Sequence, residues 1–264
     1  MTAPLLLEAL AQATRGALER VYLARLRREI GEHPVPRHVA VILDGNRRHA
    51  RSLGLEATDG HFLGSETLEQ LLDWCRRIGV KTLTVYALST ENLGRAPEEV
   101  AALMDLFARK LDELVRDERV HRHRIRVRVL GRPEQLRADV ADAARRAEAA
   151  TEGYGEFDFR ICLAYGARQE IVDAVRSIAD DVAGGRLQPS RIDESTLSSR
   201  LCAGADEPDL LIRTGGEVRL SNFLLFQAAY AELFFSDVHF PVFREIDFLR
   251  IVRTYQQRKR RFGK

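Results

Sequence analysis

Four stretches of this 264-residue chain carry residue types suited to handling phosphate. The first is Leu43-Asp44-Gly45-Asn46-Arg47-Arg48-His49, directly after the apolar run His38–Leu43. That run reads as a strand, and in parallel α/β sheets ligands settle beyond the carboxyl ends of strands. A carboxylate there suits Mg²⁺, a hard cation that takes oxygen ligands and often bridges to phosphate. Gly45 permits close backbone approach. A helix starting here would turn free N–H groups towards an anion, and Arg47 and Arg48 offer charge-assisted bonds to phosphate oxygens. The plainer alternative is that Asp44 caps the helix and the arginines are solvated. The second stretch, Gly60-His61-Phe62-Leu63-Gly64, opens the next helix and either cradles a diphosphate or holds an ordinary surface histidine. The third, Ser89-Thr90-Glu91-Asn92-Leu93-Gly94-Arg95, is rich in donors and acceptors, or is only a polar loop capping the helix that begins at Pro97. The fourth runs from Asp209 through Arg213-Thr214-Gly215-Gly216-Glu217-Val218-Arg219-Leu220-Ser221-Asn222. Two guanidinium forks and a hydroxyl match a diphosphate in geometry and charge; the alternative is a structural Arg–Glu loop. Glu232, at the end of an apolar segment, needs a partner such as a metal ion.

Elements of regular length must position these groups. Strands are expected at 38–43, 81–88, 125–130, 157–165, 209–212 and 233–235, with period-3.6 helices at 65–78, 97–116, 133–150 and 168–182. This alternation predicts an α/β fold, a parallel sheet covered by helices on both faces. With no internal repeat and no Gly/Ser linker, a single domain is the simplest organisation. Arg124, Arg126 and Arg128 alternate along the third strand and read as the solvated face of an edge strand. Residues 1–36 form an N-terminal segment whose amphipathic helix, over 3–30, carries Leu7, Leu10, Ala11, Leu18, Val21 and Tyr22 on one face. It packs on the main domain or a partner, or lies on a membrane surface. Residues 37–264 then form the main domain.

Composition narrows the classes. The chain is 45% hydrophobic, enough for a large core, which excludes disorder as the main state. The formal net charge is +2, too small for a duplex nucleic-acid binder working through phosphates, so no nucleic-acid partner is expected. Cys75, Cys162 and Cys202 stand far apart, without a disulfide or zinc spacing, which fits a reducing compartment. No apolar run spans a membrane and no signal peptide is apparent, so a cytoplasmic protein is expected. A P-loop, a GxGxxG after a strand and a GxSxG elbow are all missing, which argues against nucleotide triphosphatases, nicotinamide enzymes and serine hydrolases.

Together, HVAVILDGNRR, GHFLG, STENLGR, DLLIRTGGEVRLSNFLLFQAAYAELFF and the terminal RRFG occur in an order that resembles the cis-prenyltransferase family, the undecaprenyl and dehydrodolichyl diphosphate synthases. The resemblance runs from about His38 to the C-terminus, and the DGNRR form is closest to archaeal-type members. The DDxxD pattern of trans-type prenyl synthases is missing. The resemblance implies a non-Rossmann six-stranded parallel sheet flanked by helices, a hydrophobic tunnel and a homodimer. It implies Mg²⁺-dependent condensation of isopentenyl diphosphate onto an allylic diphosphate, geranylgeranyl or farnesyl, giving a Z-polyprenyl diphosphate for a glycan lipid carrier. The alternatives are a short-chain Z-prenyl diphosphate synthase or a non-catalytic regulatory subunit. By resemblance, Asp44 and Asn92 are catalytic, Asp44 holding the metal with Glu232 and Asn92 assisting proton removal. Gly45, Asn46, Arg47, Arg48 and His49, with His61, bind the allylic diphosphate. Ser89, Thr90, Glu91, Leu93 and Arg95 lie near the reacting carbons. Arg213, Arg219, Leu220 and Ser221 bind isopentenyl diphosphate, and Arg261 and Gly263 complete the site from the C-terminus. His49 stands where many members have Trp, Leu93 where they have an aromatic residue, and Ala57 where they have an arginine. The resemblance places small Ala87 on the tunnel wall, which permits a long product, whereas bulky Phe159 as a floor argues for a shorter one.

Overall fold

The computed structural model describes residues 3–258, and side chains from Gly16 onward apart from Ala17. Arg261 and Gly263 lie outside the described residues, as do the side chains of Leu7, Leu10 and Ala11. In chain order the elements are α1 (Ala3–Gly31), β1 (His38–Ile42), α2 (Asn46–Ser52), α3 (Ala57–Ile78), β2 (Thr82–Tyr86), α4 (Pro97–Arg116), α5 (Glu118–Arg122), β3 (Ile125–Gly131), α6 (Ala138–Thr151), β4 (Phe157–Leu163), α7 (Ala167–Ala183), α8 (Glu194–Ser198), β5 (Leu210–Arg213), β6 (Glu232–Phe235) and α9 (Glu245–Gln257).

They form two compact units, one made of the chain up to Pro36 together with the chain from Arg244, the other of Arg37–Phe243. In the first, Arg27 on α1 makes a two-point ion pair with Glu245 on α9, at 3.0 and 2.7 Å. Gln256 donates to the carbonyls of Ile30 and His33 just beyond, at 3.0 and 3.1 Å. Leu26 and Ile30 are buried, whereas Leu18 and Val21, expected on the apolar stripe, are exposed. Among the described side chains of α1, full burial therefore falls past Tyr22, at Leu26 and Ile30.

The second unit holds the whole sheet, six parallel strands in the order β3-β4-β2-β1-β5-β6. Every residue of β1 and β2 is buried; Val39–Ile42 is an unbroken apolar run, and the polar His38, Thr82 and Thr84 are buried with it, His38 bonding Thr84 at 2.8 Å. The chain leaves β1 towards β2 on one side and reaches β5 and β6 on the other. The crevice between the carboxyl ends of β1 and β5 is thus the point where connections diverge, the place such sheets offer to ligands. The strand order is not that of a dinucleotide-binding sheet. β3 is an edge strand, as its arginines suggested. Its outward N–H groups are covered by α6, Val127 donating to Thr151 Oγ1 at 3.0 Å and Val129 to Glu148 Oε1 at 2.8 Å. Arg126 is exposed on it, while Arg128 is half-buried against Asp158. Among the described residues no helix is long and apolar enough to cross a membrane.

The helix α3 begins at Ala57 rather than at Ser65, stabilised by a capping box between Glu56 and Asp59. The apolar periodicity is silent there because Gly60 and Gly64 supply the packing face. A Cβ on Gly60 would stand 2.2 Å from the Asn46 carbonyl oxygen, and one on Gly64 2.6 Å from Asn46 Oδ1. The two glycines let α3 lie against the first turn of α2. The segment expected as one helix over 133–150 divides into a turn at Pro133–Gln135 and α6. The pair of glycines yields a stability test. Gly60→Ala forces Cβ onto backbone and is expected to lower the unfolding free energy by about 1–3 kcal/mol. Gly16→Ala, on a helix with open space around it, is expected to raise stability by up to about 1 kcal/mol. Denaturant titration reads both, and equal midpoints for the two variants would contradict the packing role.

Candidate active site

Asp44, Gly45, Arg213 and Thr214 meet at the crevice between β1 and β5. Asp44 Oδ2 accepts from Arg213 Nη2 at 2.8 Å. Its Oδ1 accepts from the Gly45 N–H at 2.7 Å and from Arg48 Nη2 at 3.2 Å. Burial alone would raise the Asp44 carboxyl, but the bond and charge of Arg213, helped by Gly45 and Arg48, outweigh it and hold the carboxyl below its ordinary range. Thr214 ties the two strand ends together, its hydroxyl donating to the Asp44 carbonyl at 2.8 Å and accepting from the Asp44 N–H at 3.1 Å. Gly45 has φ 104, and a Cβ there would stand 2.9 Å from the backbone of His239, so the turn into α2 requires glycine. His49 meets the edge of the His239 ring, centroids 6.2 Å apart.

Arg213 is only 5% exposed. Its Nη1 donates to Ser221 Oγ at 2.7 Å and to the Arg219 carbonyl, while Nε is buried without a hydrogen-bond partner. Ser221, Asn222 and Leu224 all take positive φ, which curls the loop back under the guanidinium. Arg219 is exposed and bonds Glu217 at 2.5 Å, and Glu217 also faces Arg48 at 3.6 Å. Leu220 packs against the apolar cluster of Tyr86, Tyr165 and Phe223 beneath.

A second carboxylate, Glu99 on α4, gathers the remaining basic groups. Arg95 Nη1 donates to Glu99 Oε1 at 2.9 Å, His61 Nε2 lies 3.2 Å from the same oxygen, and Arg47 Nη1 is 3.6 Å from Oε2. Burial would raise the Glu99 carboxyl, yet His61, Arg95 and Arg47 pull it below its usual range. Burial in turn lowers the His61 imidazole, against the opposing pull of Glu99. The sequence reading does not include Glu99; its signal was an acid four residues after Arg95, in the first turn of the helix that begins at Pro97. Gly60 and Gly64 pack helices here, and of the GHFLG stretch it is His61 that reaches the site.

The loop after β2 is a tight one-turn cap. Ser89 Oγ accepts from the Asn92 N–H at 3.2 Å, and Asn92 Oδ1 accepts from the Ser89 N–H at 3.3 Å. Thr90 bonds Glu91, and Glu91 Oε1 accepts from Asn222 Nδ2 at 3.0 Å. Asn222 also receives the Arg168 N–H at 2.8 Å, so this residue, named in the fourth stretch without a role of its own, joins the loops after β2, β4 and β5. Leu93 is half-buried in the same turn. Glu232 is placed elsewhere. It opens β6, in register with Leu210, three residues before the Phe235 that stands beside Arg213. The single chain therefore does not bring it to Asp44. Among the described residues no cluster of three metal-ligating side chains occurs.

Beside this polar crevice opens a cavity of about 460 Å³. Leu43, Asn46, His61 and Gly64 line its near end, and Asn46 Oδ1 there is buried without a partner. Leu68, Leu72, Leu103, Leu106 and Leu111 form apolar walls between α3 and α4. Ala87 and Phe159, from the sheet, line it as well.

Comparison with known proteins agrees with this geometry. The family model described as "Putative undecaprenyl diphosphate synthase" matches residues 42–263. The chain is 54% identical over 244 residues to the tritrans,polycis-undecaprenyl-diphosphate synthase (geranylgeranyl-diphosphate specific) of Thermococcus kodakarensis, covering 92% of each. It is 46% identical over 249 residues to an isoprenyl transferase of Thermus thermophilus, covering 92% of this chain and 95% of that one. Its structure is similar to that of lavandulyl diphosphate synthase from Lavandula x intermedia in complex with dimethylallyl diphosphate, with TM-score 0.84 and 36% identity over 87% of this chain and 99% of that one. The crevice, the apolar cavity and these likenesses together establish that the chain belongs to the undecaprenyl diphosphate synthase family of cis-prenyltransferases.

Proposed function

We propose that this protein condenses isopentenyl diphosphate with an allylic diphosphate to give a Z-polyprenyl diphosphate of medium to long chain, for use as a glycan lipid carrier. The observation that carries this reading is the Asp44–Arg213 pair beside an apolar cavity whose lining begins at Leu43 and Asn46, on either side of Asp44 in the chain. It joins an anion-handling site to a slot for hydrocarbon. The names of the archaeal relatives favour geranylgeranyl diphosphate as primer over farnesyl diphosphate.

Arg213, Arg219 and Ser221 hold the isopentenyl diphosphate, and Arg213 Nε offers it a buried donor that no protein atom uses. The turn from Gly45 to Arg48 holds the allylic diphosphate, with Arg47, Arg95 and His61 arranged around Glu99 at the cavity entrance. Several cations are needed here, because two polyanions brought side by side repel, and proximity acts only once that repulsion is offset. In the reaction the allylic C–O bond breaks, its electron pair leaving with pyrophosphate. A bond forms between C1 of the allylic unit and C4 of the isopentenyl unit, which then loses a proton from C2. The Asn92 carboxamide, fixed by its bond with Ser89, orients that unit, and the departing polyanion is basic enough to carry the proton away. The residues fit magnesium. Asp44 presents a hard carboxylate kept in its anionic form, and Mg²⁺ is commonly held by one or two carboxylates together with substrate phosphates. When bound, it supplies charge neutralisation for the leaving group. Glu232 takes no part in this within one chain. The growing tail occupies the cavity as a tunnel, at a gain of about 0.8 kcal/mol per CH₂ group removed from water.

We read the working form as a cytoplasmic homodimer to which Arg261 and Gly263 contribute. β6 is an edge strand of the sheet, and Tyr230 and Phe235 are exposed beside it. Sedimentation is expected to give twice the 29.9 kDa chain mass; a monomer at micromolar concentration would contradict the dimer. With Mg²⁺, labelled isopentenyl diphosphate and geranylgeranyl diphosphate, label is expected in a butanol-extractable lipid. Asp44→Ala should lower the rate by roughly 100-fold or more, and EDTA should abolish it until Mg²⁺ is restored. Turnover unchanged in the variant would refute the assignment. Glu99→Gln, which loosens Arg47, Arg95 and His61 at once, is expected to raise the allylic KM by roughly 10–100-fold, with a smaller effect on the KM for isopentenyl diphosphate.

A further inference from the structure

The cavity changes character along its length. Beyond its apolar middle it is lined by charged side chains that bond one another. Lys110 Nζ on α4 lies 2.8 Å from Glu69 Oε1 on α3 and 2.8 Å from Glu113 Oε2. The other Glu69 oxygen accepts from Arg119 Nη2 on α5 at 3.4 Å, and Arg119 is anchored by Asp117 at 2.6 Å. One carboxylate thus ties α3 to both α4 and α5. At 1.5 Å per residue this clasp lies about 12 Å past His61 along α3 and about 16 Å past Glu99 along α4. Lys110 and Asp117 are 24% and 22% exposed, while Glu69 and Arg119 are 43% and 59% exposed, so the clasp stands between the cavity and solvent.

We infer that the Glu69–Lys110–Arg119 clasp is a yielding stop that sets product length. The inference rests on the proposed reading of the cavity as the slot for the prenyl tail. Early additions fill the apolar section without disturbing α3 or α4. A tail that reaches the clasp strips water from charged groups it cannot solvate, and growth continues only if the pairs part and the helices separate. Ion pairs this exposed are weak and screened by salt, unlike a packed wall such as Phe159, so the stop gives way gradually.

The test uses the full chain with Mg²⁺, labelled isopentenyl diphosphate and geranylgeranyl diphosphate, with products separated by reverse-phase chromatography at matched conversion. Glu69→Gln and Lys110→Met are each expected to move the dominant product to a longer chain by at least one isoprene unit. High potassium chloride should move the unmodified protein the same way and leave Glu69→Gln, which has lost its pairs with both Lys110 and Arg119, where it is; Lys110→Met, which keeps the Glu69–Arg119 pair, should respond less than the unmodified protein. A role limited to holding the fold would show in thermal melting and would not produce this loss of salt response. If either variant melts below the assay temperature, the other carries the comparison. Identical product distributions in all three proteins, or shorter products in the variants, would overturn the clasp. No lipid product from the unmodified protein would instead overturn prenyl transfer, and this inference with it.

Discussion

The site depends on one ion pair, between Asp44 at the end of β1 and Arg213 at the end of β5. Taking both groups out of water costs much of what their attraction returns, so such a pair adds little net stability. What it supplies is position. The carboxylate stays ionised, and the guanidinium is locked by Ser221 and the Arg219 carbonyl with one donor still unused. Thr214 fixes the two strand ends to each other, so carboxylate and guanidinium cannot drift apart as anions arrive.

Arg160 on β4 shows the contrasting case. It too is 5% exposed, but its Nε and Nη2 bond Asp158, and Nη2 also bonds Asp206 at 2.7 Å. Near that group His38 bonds Thr84 at 2.8 Å, and burial holds its imidazole down at about 4, hence neutral. Arg160 lies within its strand with carboxylates on hand, whereas Arg213 lies at the carboxyl end, where the loops leave room for a ligand. Location in the sheet, not residue type, separates the arginine whose Nε is left without a partner from the one held by two carboxylates.

The strands were legible because burial on both faces favours apolar and β-branched residues, as in Val39–Ile42 of β1 and Thr82–Tyr86 of β2, both buried at every residue. The long helices with one apolar face, such as α4, were legible for the corresponding reason. The start of α3 was not, because its packing face is made of glycine, which has no side chain for a hydrophobic pattern to register. Short α5 and α8 span too few turns for a period to emerge. At the site, residues adjacent in sequence, from Asp44 to Arg48 and from Ser89 to Arg95, could be read as groups. Glu99 and Asn222 could not, since their meaning comes from partners on other elements: Arg47 and His61 for one, Glu91 and the Arg168 N–H for the other. The position of Glu232 was hidden likewise, because it depends on the register of β6 against β5.

The sheet order has a consequence for how the chain is made. β1 emerges early from the ribosome, yet its neighbour β5 begins at Leu210, and the Asp44–Arg213 pair joins residues 169 apart. Such a distant contact carries a large loop-closure cost and is slow to form. Until β5 arrives, one side of β1 is a bare apolar edge, the kind that seeks pairing with other chains. The Asp44–Arg213 crevice is therefore completed only after four-fifths of the polypeptide has been synthesised, and until then the apolar edge of β1 stays uncovered on that side.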